Sequence, residues 1–238
     1  MVMKDIIRKL ARNAGYDITR YDPARHPVGR RMKIMESLGI TLVIDVGANT
    51  GQFGSEIRKA GYRGDIESFE PLKSAFNILV KNTRNDPDWN IHNCALGNCT
   101  GTADINISAN SYSSSLLDML PTHLNAAPAS QYIGSEPIDI ITLDSIFSSF
   151  NRTSGIFLKI DTQGYEWRVL EGAKNSLEHI DILQIEMSLV PLYDEEKPFP
   201  DMYRYLVGLG YDLISIEPGL MDTSTGRMMQ IDGIFYRE

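Results

Sequence analysis

The chain has 238 residues, 42% of them apolar and 23% charged, with 19 Gly and 11 Pro; this excludes disordered, collagen-like and coiled-coil chains and fits one large domain, or one domain with a small appendage. A net charge of −8 repels a phosphate backbone, so no nucleic-acid partner is expected. No apolar run approaches the roughly 18 residues of a membrane span, the N-terminus (Lys4, Asp5, Arg8, Lys9) is too charged for a signal peptide, and Cys94 and Cys99 form no CxxC pair, all of which points to a cytoplasmic chain with reduced thiols.

The charge is uneven. Residues 1–35 hold nine Lys/Arg against three Asp/Glu, leaving 14 against 28 in the rest. Such a basic segment is ordinarily a solvated face, though it could also meet an anionic substrate, a membrane surface or the acidic body of its own fold. Within it, Ile6, Ile7, Leu10, Ala11 and Ala14 recur at helical spacing, which predicts an amphipathic helix ending near Gly15 and capping a larger body. Past Pro23 and Pro27 a second helix is expected over 28–38, so residues 1–39 read as a helical cap ahead of a main domain at 40–238.

The β-branched run Thr41–Val46 predicts a buried parallel strand. A helix at 51–60, a strand at 65–69, a helix at 72–83 and a strand at 91–95 continue a βαβ alternation. Residues 102–108 alternate like a half-exposed strand, and 109–136, small, polar and aperiodic, read as a mobile insertion or lid. The alternation resumes with a strand at 138–142, a short helix to Phe150, a strand at 155–161, a helix at 164–178, a strand at 182–187 and a helix at 199–209. Strands at 211–217 and 230–236 are joined without a helix and must pair antiparallel, because a parallel crossover needs a dozen or more residues. The expected class is α/β: a mostly parallel sheet with helices on both faces and an antiparallel C-terminal edge hairpin.

Asp45-Val46-Gly47-Ala48-Asn49-Thr50-Gly51 follows the first buried strand and opens a helix. Glycine there permits a sharp turn and close approach to a ligand, and the helix N-terminus offers free N–H groups. The spacing is DxGxxxG and not the GxGxxG of a dinucleotide site. An acid at the strand end suits a cationic group, such as the amino end or the sulfonium of S-adenosylmethionine. Glu70, nineteen residues after Gly51 at the end of the second strand, is placed to accept both ribose hydroxyls of an adenosine ligand.

VIDVGANTG, SFEP, KIDTQGYE, QIEMSLVPLY and TGRMMQIDGIFYR, with the serine-rich NSYSSSLL, together resemble the FkbM-type S-adenosylmethionine-dependent O-methyltransferases over about residues 40–237. The resemblance implies a class I methyltransferase (Rossmann-like) fold, S-adenosylmethionine as cofactor, and a hydroxyl on a sugar or glycosylated small molecule as acceptor. One departure is Gln163, where the family often carries an acid. Motif and resemblance together place the cofactor against Asp45, Gly47, Ala48, Asn49, Gly51, Phe53, Glu70, Pro71, Ala95, Ser115 and Asp161.

Period-two alternation puts Lys159 and Asp161 on one face of their strand and Gln184 and Glu186 on one face of the next. Asp161, Glu186 and Lys159 are the catalytic candidates: two carboxylates to take the acceptor's proton, and a lysine that is costly in an apolar strand unless it neutralises one of them. The pair could instead share Mg²⁺, but neither strand end supplies the further oxygens of a six-ligand shell, so the metal-free version is preferred. His26, His92, His123 and His179 are scattered, which argues against zinc; His123 reads as a solvated loop residue or as an acceptor of the substrate's proton. Cys94 is expected to end the third strand and pack as a small hydrophobe, and Tyr165 and Trp167 to be core or acceptor wall. The alternatives from other classes are an NAD-dependent oxidoreductase and a non-catalytic binding module of the same fold.

Overall fold

The computed structural model describes residues 2–18, 22, 26–150 and 155–238; the loop expected at Pro23 lies outside them. The chain opens with α1 (Val2–Asn13) and α2 (Pro27–Ser37), then lays down β1 (Ile40–Val46), α3 (Gln52–Ala60), β2 (Asp65–Phe69), α4 (Lys73–Thr83) and β3 (Trp89–His92). A side excursion follows through β4 (Ala95–Leu96), β5 (Gly101–Ser108), α5 (Pro121–Ala126) and β6 (Tyr132–Ile141). The main path returns with α6 (Leu143–Ile146), β7 (Gly155–Ile160), α7 (Glu166–Glu171), β8 (Ile182–Ser188) and α8 (Phe199–Gly208). It ends in β9 (Asp212–Pro218), the short pair β10 (Met221–Asp222) and β11 (Arg227–Met228), and β12 (Gln230–Tyr236).

Among the described residues the main sheet has the order β3-β2-β1-β7-β8-β12-β9. Its first five strands are parallel, and β12 runs antiparallel to both β8 and β9. The order reverses between β1 and β7, and the carboxyl ends of strands at such a switch point are where open α/β sheets bind ligands. Burial follows the pleat. Leu42, Ile44 and Val46 face a core shared with Leu158, Leu183, α7 and α8, whereas Val43 faces one shared with Ile66, Phe157, α2 and α3.

Several boundaries differ from the sequence expectation, each for a tertiary reason. The strand expected at 91–95 is two pieces: β3 stays in the main sheet, while β4 crosses to a second sheet ordered β4-β6-β5. Cys94 therefore lies between strands; it packs at the edge of the core, and burial pushes its thiol up to about 11. The helix expected over 164–178 stops at Gly172. A Cβ there would sit 1.9 Å from the Gly97 carbonyl oxygen, so two backbones cross where the helix would have continued. β6 begins at Tyr132, which takes residues 132–136 out of the irregular segment and pairs them with β5. The two C-terminal strands are antiparallel as expected, but β12 is inserted inside the sheet. Its Ile231, Ile234 and Phe235 are buried, while β9 alternates exposed and half-buried as an edge strand does. Finally, α1 leaves its apolar stripe exposed, with Met3, Ile6, Ile7 and Leu10 at 50–76%. The covering is done by α2, whose Met35 joins the core.

Candidate active site

The turn after β1 is built around Gly47, with φ +77°. A Cβ there would lie 1.9 Å from the Asp161 carbonyl oxygen. The demand for glycine thus comes from the end of β7, whose Asp161 N–H also donates to the Val46 carbonyl at 3.1 Å. Asn49 takes a left-handed conformation (φ +49°), and its backbone N–H donates to Glu70 Oε2 at 2.8 Å. Glu70 Oε1 accepts from the Leu72 N–H at 2.8 Å. The carboxylate at the end of β2 thereby ties its own loop to that of β1. Burial pushes Glu70 up to about 7 against those two N–H bonds.

Asp45 is fully buried. Register places it beside Lys159, whose Nζ lies 3.2 Å from Asp45 Oδ1, 3.5 Å from Asp161 Oδ2 and 3.3 Å from the Gly47 carbonyl. Burial opposes the lysine's charge, but the two carboxylates outweigh it and hold its pKa above the usual range. Asp45 itself is pushed up by burial, with Lys159 opposing. Asp45 is thus not part of the cleft lining; its partner is the lysine beneath the turn. Of the two carboxylates expected to pair with Lys159, Asp161 does so, and Asp45 adds a pair that the sequence reading did not include.

Asp161 and Glu186 are joined through Gln163. Its Nε2 donates to Asp161 Oδ1 at 2.9 Å and to Glu186 Oε2 at 2.8 Å, and its Oε1 accepts from the Tyr193 hydroxyl at 2.9 Å. Gln163 is held left-handed, at φ +56°, and its carbonyl accepts from Ser115 Oγ at 2.6 Å. Ser115 therefore anchors this loop and is not a wall of the cleft. Glu186 is raised well above the usual carboxylate range by burial first and then by Asp161, Glu166 and Asp232. Glu166 caps the loop, accepting from the N–H of Thr162 and of Gly164; burial pushes it up to about 7. His123 is buried, not solvated. Its ring packs edge-on against Tyr193 at 5.1 Å, and burial lowers its pKa.

Gly47, Ala48, Asn49, Phe53, Glu70, Pro71, Ala95, Lys159, Asp161 and Gln163 line a cleft of about 340 Å³. Gly51 instead starts α3 behind the turn, and Glu186 reaches the cleft through Gln163. Phe69, Leu72, Leu96, Ile105 and Leu116 supply apolar wall, and Arg31, Gln52, Glu56, Gln184 and Asp232 supply polar and charged wall. Tyr165 lines the cleft as well, whereas Trp167 packs on Tyr205 in the core. Nothing local in the sequence marks Arg31, Glu56 or Ile105 as cleft residues. Asp232 lies inside the TGRMMQIDGIFYR stretch, which was the one available signal. It is pushed up to about 6 by burial and then by Asp161.

The family model described as the methyltransferase FkbM domain matches residues 45–213, from the acid of the β1 turn into β9. The chain belongs to the FkbM methyltransferase family. Its sheet, mostly parallel with β12 antiparallel inside it, is the class I methyltransferase fold. No curated protein sequence matches this methyltransferase. Among solved structures it is similar to an rRNA methylase from Streptococcus thermophilus, at 10% identity over 90% of this chain and 97% of that one, with a TM-score of 0.49. It is also similar to TehB from Haemophilus influenzae, at 10% identity over 88% of this chain and 62% of that one, with a TM-score of 0.47. No helix among the described residues is long and apolar enough to cross a membrane.

Proposed function

We propose that this methyltransferase moves a methyl group from S-adenosylmethionine to a hydroxyl oxygen of a sugar or glycosylated small molecule. The observation that carries the reading is the pair of carboxylates, Asp161 and Glu186, gathered by one amide at the edge of the cleft. A hydroxyl attacks well only as its proton leaves, and a buried carboxylate with raised pKa is a competent acceptor of that proton.

The donor set fits the cofactor. Glu70 offers lone pairs to two ribose hydroxyls, the Gly47–Asn49 turn lines the same cleft, and the apolar wall from Phe69 to Leu116 suits a planar base. When bound, S-adenosylmethionine supplies an electrophilic methyl on a sulfonium. The chain's part is then to hold the acceptor oxygen in line and take its proton on the Asp161–Glu186 pair, of which Asp161 lines the cleft and is held in place by Lys159 and Gln163. Magnesium does not fit between the carboxylates. The Gln163 N–H₂ stands there as a donor to both, and no group of three or more His, Cys, Asp or Glu that could hold a metal gathers among the described residues. The acidic body favours a small or glycan acceptor over RNA. Ser111, Tyr112, Ser114 and Leu116 line the cleft, so the same reading makes 109–131 a lid over the acceptor.

The test is transfer of labelled methyl to a panel of glycosides, nucleotide sugars and RNA, with Asp161→Asn and Glu186→Gln alongside. Each variant should lose about 10²–10⁴-fold in turnover while keeping cofactor affinity within a few-fold, and EDTA should change nothing. Methylation confined to RNA, or near-normal turnover in both variants, would overturn the reading.

A further inference from the structure

The basic N-terminal segment divides in two once it is folded. Arg30 and Arg31 are taken up by the body: Arg31 Nη2 lies 2.6 Å from Glu217 Oε2 and its Nη1 2.9 Å from Glu56, and Arg30 lies 3.5 Å from Glu217. The cations of α1 are not. Arg12 pairs with its neighbour Asp17 at 3.0 Å with both side chains exposed, and Arg8 Nε donates to the nearby Ile18 carbonyl. Lys4 and Lys9 make no ion pair with the described residues.

α1 is also unpartnered on its apolar side. At helical spacing Met3, Ile6, Ile7 and Leu10 fall within an arc of about 100°, with Lys4, Arg8, Arg12 and Lys9 distributed over the rest of the circumference. The four apolar side chains are 76%, 52%, 50% and 63% exposed, and Tyr16 and Ile18, just beyond the helix, are 72% and 49% exposed. A stripe this apolar is not left wet without an occupant.

We infer that α1 binds an anionic lipid surface, lying in the interface with Met3, Ile6, Ile7 and Leu10 at the acyl boundary and its four cations among the headgroups. Charge decides between occupants. An apolar helix face seated in a protein groove needs cations only at its rim, whereas here four cations, with Asp5 the one acid among them, lie on the side opposite the apolar arc, as in an interfacial helix. A polyanion such as RNA would use the cations and leave the apolar arc in water. A second copy seated on the apolar arc would leave the cations without a partner. The body carries 14 Lys/Arg against 28 Asp/Glu and is repelled by an anionic surface, so contact is confined to α1.

The experiment is co-sedimentation of the full chain with phosphatidylcholine vesicles, with and without about one third phosphatidylglycerol, and light scattering on the free protein. Wild type should pellet with the anionic vesicles and not with phosphatidylcholine alone. Ile6→Asp/Leu10→Asp and Lys4→Glu/Lys9→Glu should each lower binding at least tenfold, since each cation near such a surface contributes roughly fivefold. Both variants should melt like wild type and keep any methyl transfer, because α1 touches neither core nor cleft. Absence of wild-type binding overturns the inference. So does unaltered binding by Ile6→Asp/Leu10→Asp, which would mark simple polyanion attraction. So does a wild-type dimer that this variant dissociates without any vesicle binding, which would make a second copy the occupant.

Discussion

Glu70 is 4% exposed and accepts a backbone N–H on each oxygen, yet burial leaves its pKa at about 7. Its ionised form is the better acceptor for ribose hydroxyls, so cofactor affinity should rise as pH increases through about 7 and level off above it. Glu70→Gln should flatten that profile and weaken binding by about tenfold to 150-fold, the loss of a charged acceptor worth roughly 1.5–3 kcal/mol. Calorimetry from about pH 6 to 8 reads both effects, and a pH-independent wild type would return Glu70 to a purely structural role. Gln163 acts one step further in. Its N–H bond to Glu186 favours the ionised form of that carboxylate, so Gln163→Leu should raise the proton affinity of Glu186. The alkaline rise of turnover should then move to higher pH while cofactor KM stays nearly constant. A lower rate with an unmoved profile would mean that Gln163 only supports the loop. The place of Glu70 at the end of β2, facing the cleft, was legible from its spacing to the DxGxxxG turn. The role of Gln163 was not, because an amide's bonds depend on what another strand brings to it.

At the scale of elements, the chemistry rests on two loops that pack backbone to backbone, after β1 and after β7, and on the excursion between β5 and β6. That excursion is stitched at its base: Ser108 Oγ donates to the Ser130 carbonyl at 2.9 Å, and Asn110 Nδ2 donates to Ser130 Oγ at 3.0 Å. Its tip is open, with Tyr112 64% exposed above the cleft. If 109–131 closes over ligands, hydrogen exchange at 111–116 should slow on the order of tenfold when S-adenosylhomocysteine binds, while 128–132 stays slow throughout. Equal exchange with and without ligand would make the segment a fixed wall. Composition was enough to separate this stretch from the sheet, but its last residues became strand because β5 offered them a partner.

For the whole molecule, the site is an acidic centre held inside a stable sheet. Glu70 and Glu166 are raised to about 7 and Asp232 to about 6, each chiefly by burial. A folded-state pKa above the unfolded value means that the native state binds protons more tightly. The stability these groups contribute is full below about pH 4.5 and is lost as pH rises towards 7. Acid titration of other carboxylates limits the low end, so the ligand-free protein should melt at a higher temperature near pH 5.5 than near pH 7.5. Glu70→Gln should narrow that difference, as read by scanning calorimetry. A flat profile would mean that water or ions reach the cluster and screen it.

The sequence by itself determined what depends on near neighbours: the alternation of strands and helices, the turn at Asp45–Gly51, the acid ending β2, and the antiparallel return at the C-terminus. Periodicity, glycine and proline punctuation, and loop length act over a few residues, and these features follow from them. Only the tertiary structure decided where the side chains of those motifs went. It turned Asp45 onto Lys159 beneath the turn and Ser115 onto the Gln163 carbonyl. It packed His123 against Tyr193 and slid β12 between β8 and β9. Each of these depends on partners far along the chain, and a buried polar group takes whichever partner the sheet register delivers, because leaving it unpaired costs more than any local preference can offset.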